Sequence, residues 1–156
     1  MEILDKDFVE FIECCAGRDV KFLVVGGYAL AAHGHPRATK DLDIWLLIEP
    51  TNADRLIDAL ADFGMEALAL TRSDFLEPGV IIQLGYPPVR IDLLTTATGV
   101  TFEDCWERRM LIEVGSVDAG FISYADLIAN KRASGRPQDL VDVEVLEQNP
   151  PELTLE

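Results

Sequence analysis

Apolar residues recur at helical spacing in the first part of the chain. Phe8, Phe11, Ile12 and Cys15 follow the i, i+3, i+4, i+7 pattern, and Gly17 lies where a helix can end. This spacing places the four side chains on one face, as in a helix that packs one side against a core. The pattern therefore predicts an amphipathic helix at the start of the chain.

Strand-like and helix-like patterns alternate along the rest of the chain. Apolar or alternating runs predict strands at residues 20–25, 41–49, 80–84 and 89–94, the last two forming a hairpin around a Gly-Tyr-Pro-Pro turn. Helical spacing predicts helices at residues 28–34, 51–64, 102–109 and from 124 onwards, where Gly135 and Pro137 separate two terminal helices. Thr51 and Asp54 form a capping signal for the helix at 51–64. The order of elements predicts an α/β (α+β) fold.

Length and charge limit the kinds of protein that this chain can be. Its 156 residues fit one domain, predicted at residues 1–148, with residues 149–156 as a loose tail. A net charge of -15, from 28 acidic and 13 basic residues, disfavours broad binding to nucleic acid or to anionic membranes. The sequence contains no apolar stretch of about 18 residues, and its three cysteines form no metal-spaced or disulfide pattern. We therefore expect a cytoplasmic protein without a membrane span.

Three aspartates are the best candidates for chemistry. Asp41 and Asp43 open an apolar strand and share one face, because alternate side chains of a strand point the same way. Two carboxylates so placed repel by roughly 1–4 kcal/mol unless a cation separates them. Mg²⁺ suits such a pair, since it is bound by one or two carboxylates together with substrate phosphates. Asp92, on a later strand, adds a third carboxylate if the two strands are neighbours.

Gly26 and Gly27 follow a predicted buried strand and precede a predicted helix. Glycine permits unusual backbone angles and close approach, which leaves amide N–H groups free to bind phosphate. The pair is therefore a candidate phosphate-binding turn.

The chain has a glycine pair, then thirteen residues, then an Asp-x-Asp strand and later a further strand with an aspartate. This combination resembles the DNA polymerase β-like nucleotidyltransferase superfamily. The segments HGHPRATKDLDIWL and KRASGRPQDLVD are similar to its small prokaryotic branch, which includes abortive-infection and toxin–antitoxin nucleotidyltransferases. The resemblance implies a mixed β-sheet flanked by helices, with further helices at the C-terminal end. It also implies transfer of a nucleoside monophosphate from an NTP to a hydroxyl acceptor by two-metal catalysis, with Mg²⁺ or Mn²⁺.

The resemblance implies roles for individual residues. By position, Asp41, Asp43 and Asp92 correspond to the metal ligands, with Asp92 also placed to accept a proton from the acceptor hydroxyl. Gly26 and Gly27 correspond to the turn that the phosphates approach. Many members of the superfamily have serine at the second of these positions, so Gly27 offers no hydroxyl to the triphosphate.

Four further residues are candidate phosphate ligands. Lys131 ends an otherwise apolar helical stripe, and the resemblance implies that it contacts the triphosphate and that Arg136 extends the motif. The alternatives for Lys131 are a surface position or an ion pair with an acidic residue of the following helix. Arg37, with Thr39 as a hydroxyl partner, precedes the aspartate pair closely enough to reach the phosphates.

The acceptor stays open at this point. The candidates are a small hydroxylated molecule, a protein side chain and an RNA 3′ end. Little chain remains for a separate acceptor-binding domain, so a homodimer or a partner protein is a candidate to complete the cleft. The alternative function is that of a catalytically inactive nucleotide-binding module or a toxin–antitoxin interaction module.

Overall fold

The structure is a computed structural model that describes residues 5–35, 41–86 and 89–151. The strands of the described part are β1 Phe22–Val25, β2 Asp41–Leu46, β3 Ile81–Tyr86, β4 Val89–Leu94, β5 Met110–Val114 and β6 Val117–Phe121. Its helices are α1 Lys6–Gly17, α2 Gly26–Ala32, α3 Pro50–Asp62, α4 Phe102–Glu107, α5 Tyr124–Ser134 and α6 Pro137–Gln148. Two short 3₁₀ segments, Glu66–Leu68 and Arg72–Phe75, follow α3.

All six strands form one mixed sheet in the order β3-β4-β2-β1-β6-β5. Strands β2 and β4 run parallel to each other, as do β1 and β6, while the other three neighbouring pairs are antiparallel. The sheet, with helices packed on it, confirms the predicted α/β fold. The predicted hairpin of β3 and β4 is also confirmed.

The core lies between the central strands and the helices that cover them. All four residues of β1 are buried, which explains their unbroken apolar run. The predicted face of α1, formed by Phe8, Phe11, Ile12 and Cys15, is also buried, and α1 packs against α3. Full burial of a side chain such as Phe11 contributes about 1.5–3 kcal/mol to stability. The predicted amphipathic helix is therefore confirmed.

The start of α3 differs from the prediction. The helix begins at Pro50 with Glu49 as its N-cap residue, and no side chain caps it. Proline suits the first helical turn because its fixed φ is helical and its missing N–H needs no partner there. Asp54 instead forms an ion pair with Arg72, so the predicted capping box of Thr51 and Asp54 is wrong.

The C-terminal part contains one hairpin that the sequence reading missed and two helices that it predicted. Strands β5 and β6 pair around Gly115, whose φ of 59° suits a tight turn. Helix α5 ends at Gly135 in the left-handed conformation, and α6 begins at Pro137, as predicted. Over the described ranges, the helices lack the combination of length and apolar character that crossing a bilayer requires.

Candidate active site

The parallel pairing of β2 with β4 brings the three candidate aspartates together. Asp43 lies opposite Asp92 across the ladder, and Asp41 lies opposite Arg90. Residues that face each other on neighbouring strands point to the same side of the sheet. All four side chains line one cleft of about 680 Å³. The structure thus places the predicted carboxylates on one face at the mouth of a cavity of ligand size.

Gly26 lines this cleft directly beside Asp43. Strand β1 ends at Val25, the register partner of Asp43, and α2 begins at the next residue. Gly26 has a φ of +71°, and a Cβ atom added there would lie 2.1 Å from Asp43 Oδ2. Only glycine satisfies both conditions, because other residues strain at positive φ and carry that Cβ. Gly27 follows as the second residue of α2 and is half-buried.

Asp43 is the most electrostatically perturbed group of the site. Its burial, followed by the like charges of Asp92 and Asp41, raises the pKa of Asp43 to about 7. Asp43 is partly buried because its neighbour on the same face of β2, Trp45, is itself buried and packs edge-to-face on Phe102. A carboxyl group that resists ionisation in this way gains most from a nearby cation.

Arg90 places a positive charge beside Asp92 and Asp41. Its Nε donates to Asp92 Oδ1 at 3.0 Å and its Nη2 to Asp92 Oδ2 at 3.0 Å, while Nε lies 3.6 Å from Asp41 Oδ2. The hydrogen bonds to Asp92 raise the pKa of the Arg90 guanidinium further. Alternation along β4 is enough to put Arg90 on the same face as Asp92, but the sequence analysis assigns it no role.

The oxygen donors of the site fit Mg²⁺ or Mn²⁺, which prefer carboxylates and phosphate oxygens. Within residues 5–35, 41–86 and 89–151, however, no three His, Cys, Asp or Glu side chains are already arranged to hold a metal ion. Since Arg90 bonds both oxygens of Asp92, this guanidinium would compete with a metal ion for the Asp92 carboxylate. The three aspartates therefore lie on one face of the sheet, but their carboxylates are not arranged as a set of metal ligands.

The cleft also has polar lining residues that the sequence analysis missed. Thr96 and Thr98, in the loop after β4, line it together with Asn130 and Ser134 from α5. Asn130 Nδ2 donates to the Thr98 carbonyl oxygen at 2.9 Å, which ties the loop to the helix. The only signal in the sequence is the run of small hydroxyl residues TTATGVT directly after the Asp92 strand.

Arg136, a predicted phosphate ligand, also lines the cleft. Its side chain is 78% exposed, and its Nε donates to Asp139 Oδ2 at 2.7 Å. That hydrogen bond raises the pKa of Arg136, and Asp43 is among the other charges that do so. Arg136 is thus an accessible cation close to the aspartates.

Lys131 is placed differently from Arg136. It is only 5% exposed, and its Nζ lies 2.8 Å from Asp142 Oδ2 and 3.6 Å from Asp139 Oδ1, both on α6. The alternative of an ion pair with the following helix is therefore what the structure shows. Lys131 is still near enough to Asp43 to lower the pKa of that carboxyl. Phosphate binding by Lys131 stays a prediction, and it requires at least part of a buried ion pair to open.

The predicted phosphate ligands Arg37 and Thr39 lie outside the described residues. Their role therefore stays a prediction from the sequence.

Comparisons with known proteins agree with the geometry. A family model described as "Nucleotidyltransferase of unknown function" (DUF6036) matches residues 5–147. Six solved chains match as well. One is the crystal structure of a candidate nucleotidyltransferase from Thermotoga maritima, with 12% sequence identity, a TM-score of 0.56 and coverage of 94% of each chain. At this identity the likeness shows the fold alone. No curated protein matches the chain. Because the family match spans nearly the whole sequence, the protein belongs to the DUF6036 family of nucleotidyltransferases of unknown function.

Proposed function

We propose that this protein transfers a nucleoside monophosphate from an NTP to a hydroxyl acceptor, with Mg²⁺ or Mn²⁺ bound by Asp41, Asp43 and Asp92. The observation that carries the proposal is the parallel register of β2 and β4, which sets Asp43 opposite Asp92 beside Gly26. A cluster of carboxylates with one strongly raised pKa, in a cleft, is typical of a catalytic site. Membership of a nucleotidyltransferase family supports the same reaction.

Different residues of the chain would act on the acceptor hydroxyl and on the triphosphate. When bound, the metal ions would neutralise the charge on the transferred phosphoryl group and on the leaving pyrophosphate. Asp92, on the outer side of the carboxylate cluster next to β3, is the residue we assign to the acceptor hydroxyl, whose proton its carboxylate would accept. Gly26 lets the Asp43 carboxylate lie directly against the backbone at the start of α2, and we propose that the triphosphate binds beside this contact.

The cations are assigned to the triphosphate. Arg136 is the best placed, since it lines the cleft and its side chain is mostly exposed. Arg37, with Thr39, and Lys131 are the further phosphate ligands that we propose from the sequence. A charge-assisted hydrogen bond of this type contributes about 1.5–3 kcal/mol to binding.

The acceptor and the biological setting are part of the proposal. A cleft edge lined by Thr96, Thr98 and Asn130 offers hydroxyl and amide groups, which favours a small hydroxylated acceptor over a strongly charged one. We propose a cytoplasmic location, on the cysteine pattern given above, and membership of the abortive-infection and toxin–antitoxin branch, on the sequence segments given above. A homodimer or a partner protein remains a candidate to complete the acceptor side.

The experiment is a transfer assay with labelled NTPs. Purified protein is incubated with each of the four NTPs, Mg²⁺ or Mn²⁺ and candidate acceptors, and both pyrophosphate release and label on the acceptor are followed. Asp92→Asn should abolish transfer but retain NTP binding through the remaining aspartates. Asp58→Asn, at an exposed position of α3, is the matched control and should retain full activity. NTP binding by the wild type without transfer to any acceptor would favour the inactive nucleotide-binding module instead.

A further inference from the structure

A second cavity, of about 330 Å³, lies where the end of α1 and the start of β5 meet the sheet. Lys21, Arg55 and Arg109 line it together with Trp106, and we call it the basic cavity. It shares no lining residue with the aspartate cleft. Its size is at the lower end of the range for small-molecule sites.

Among the described residues, no carboxylate forms an ion pair with any of the three cations of the basic cavity. Every other arginine in the described part of the protein forms an ion pair with an Asp or Glu side chain. The sequence offers 28 acidic residues for 13 basic ones, so a cation without a partner is not explained by a shortage of carboxylates. Three such cations around one cavity leave a local positive charge on a strongly acidic protein.

Contacts that do not neutralise charge hold these cations in place. The Arg109 guanidinium lies 3.9 Å from the centre of the Trp106 ring, and Nη1 donates to the Trp106 carbonyl oxygen at 2.8 Å. Lys21 Nζ lies 5.6 Å from the same ring centre. Arg55 Nη1 donates to the Asp19 carbonyl oxygen at 3.4 Å. Contacts with an aromatic ring or a carbonyl oxygen orient a cation without neutralising its charge. The charge therefore stays available to an anion.

A glycine beside the cavity leaves space for the Arg109 side chain. Gly120 of β6 lies under its stem, and a Cβ atom there would be 3.0 Å from Arg109 Cδ and 3.2 Å from Leu23 Cδ2. Two carboxylates, Asp19 and Asp118, also line the cavity, but neither forms an ion pair with its cations among the described residues. The lining therefore holds more cations than carboxylates, the reverse of the chain as a whole.

We propose that the basic cavity binds a small molecule through a phosphate group. A phosphate presents three or more acceptor oxygens in a tetrahedral arrangement, so it can bond cations that approach from several elements at once. A carboxylate has two oxygens in one plane and is matched by a single arginine fork. Trp106 already contacts Phe102 and Arg109, so its ring serves the cations rather than a nucleobase. The net charge of -15 opposes a long polyanion here, which favours a compact ligand.

The test uses the two indole N–H signals of the chain, from Trp45 in the core and Trp106 in the basic cavity. The ¹⁵N-labelled protein is titrated with inorganic phosphate and with pyrophosphate in EDTA, so that no metal-dependent binding at the aspartates contributes. We expect the Trp106 signal to move and saturate while the Trp45 signal stays in place. No movement of the Trp106 signal up to about 10 mM of either anion would overturn the proposal.

Two variants that remove the same charge, and one carboxylate anion, test whether binding is specific to the cavity and to phosphate. Lys21→Gln should weaken binding at least about tenfold, whereas Lys6→Gln removes the same charge outside the cavity and should leave the affinity unchanged. Equal weakening in both variants would show general electrostatic attraction and refute the site. Succinate that binds as tightly as pyrophosphate would refute the preference for phosphate. Because the titration is free of metal, its outcome does not depend on whether nucleotidyl transfer is found.

Discussion

Replacing Asp43 with asparagine should stabilise the metal-free protein at alkaline pH. The substitution keeps the shape of the side chain and removes a charge that is largely buried next to Asp41 and Asp92. Carboxylates on neighbouring strands, about 5 Å apart, repel by about 3 kcal/mol at an effective dielectric constant of about 20. The rise of the Asp43 pKa from 3.8 to about 7 corresponds to about 4 kcal/mol at pH values above both figures. Burial is the largest cause of this rise, and Arg90 and Lys131 offset part of the repulsion.

The pH dependence gives this prediction its sign. In the unfolded chain Asp43 ionises from about pH 4 upward, whereas in the folded protein it holds its proton until about pH 7. The folded state therefore loses stability relative to the unfolded state as pH rises between these values, and the loss is complete above pH 7. Asparagine carries no such penalty. The variant should exceed the wild type by up to about 4 kcal/mol at pH 8 and by less than half of that at pH 5.

Denaturant unfolding in EDTA at both pH values measures the difference. Asp58→Asn, an exposed position on α3, is the matched control and should change stability by less than about 0.5 kcal/mol. An Asp43→Asn protein that is less stable than the wild type at pH 8, or whose advantage is the same at both pH values, would refute the electrostatic account.

Three further predictions concern neighbouring residues. Gly26→Ala should cost far more stability than Gly34→Ala, because both have positive φ but only Gly26 lacks space for a Cβ, and thermal melts compare the two. Lys131→Met should destabilise the protein by about 1.5–3 kcal/mol, because it removes the charge-assisted hydrogen bond to the buried Asp142 carboxylate, while Asp139 keeps its hydrogen bond to Arg136, as denaturant unfolding would show. Arg90→Gln should tighten Mn²⁺ binding in the absence of nucleotide by removing the cation that occupies Asp92, and calorimetry measures this directly. An unchanged Mn²⁺ affinity would show that the guanidinium does not compete with metal.

Local periodicity explains what the sequence could predict about the site. The alternation along β2 is enough to set Asp41 and Asp43 on one face, and the hydrophobic run around Asp92 is enough to predict its strand. The resemblance to a nucleotidyltransferase superfamily supplied the pairing of these strands, which periodicity alone leaves open. The register of Asp43 with Asp92 then agrees with both lines of reasoning.

The remaining features depend on contacts that no local pattern encodes. The ion pair of Arg90 with Asp92 depends on which way a long side chain turns after the strands have paired. The pairing of Lys131 with Asp142 depends on how α5 and α6 pack, so the sequence could only name it as an alternative. The β5–β6 hairpin was missed although its alternation and Gly115 are visible, because the run is short and partly polar.

The register between β2 and β4 has a consequence for how this protein can vary in length. Successive residues of a strand face opposite sides, so an insertion or deletion of one residue within β4 upstream of Asp92 would turn that aspartate away from Asp43. On β4 the ladder with β2 begins at Arg90, so a change of length upstream of Val89 leaves the facing pairs intact. Homologues should therefore accumulate insertions and deletions outside the two strands, and keep the spacing from Asp41 to Asp43 and from Arg90 to Asp92 unchanged.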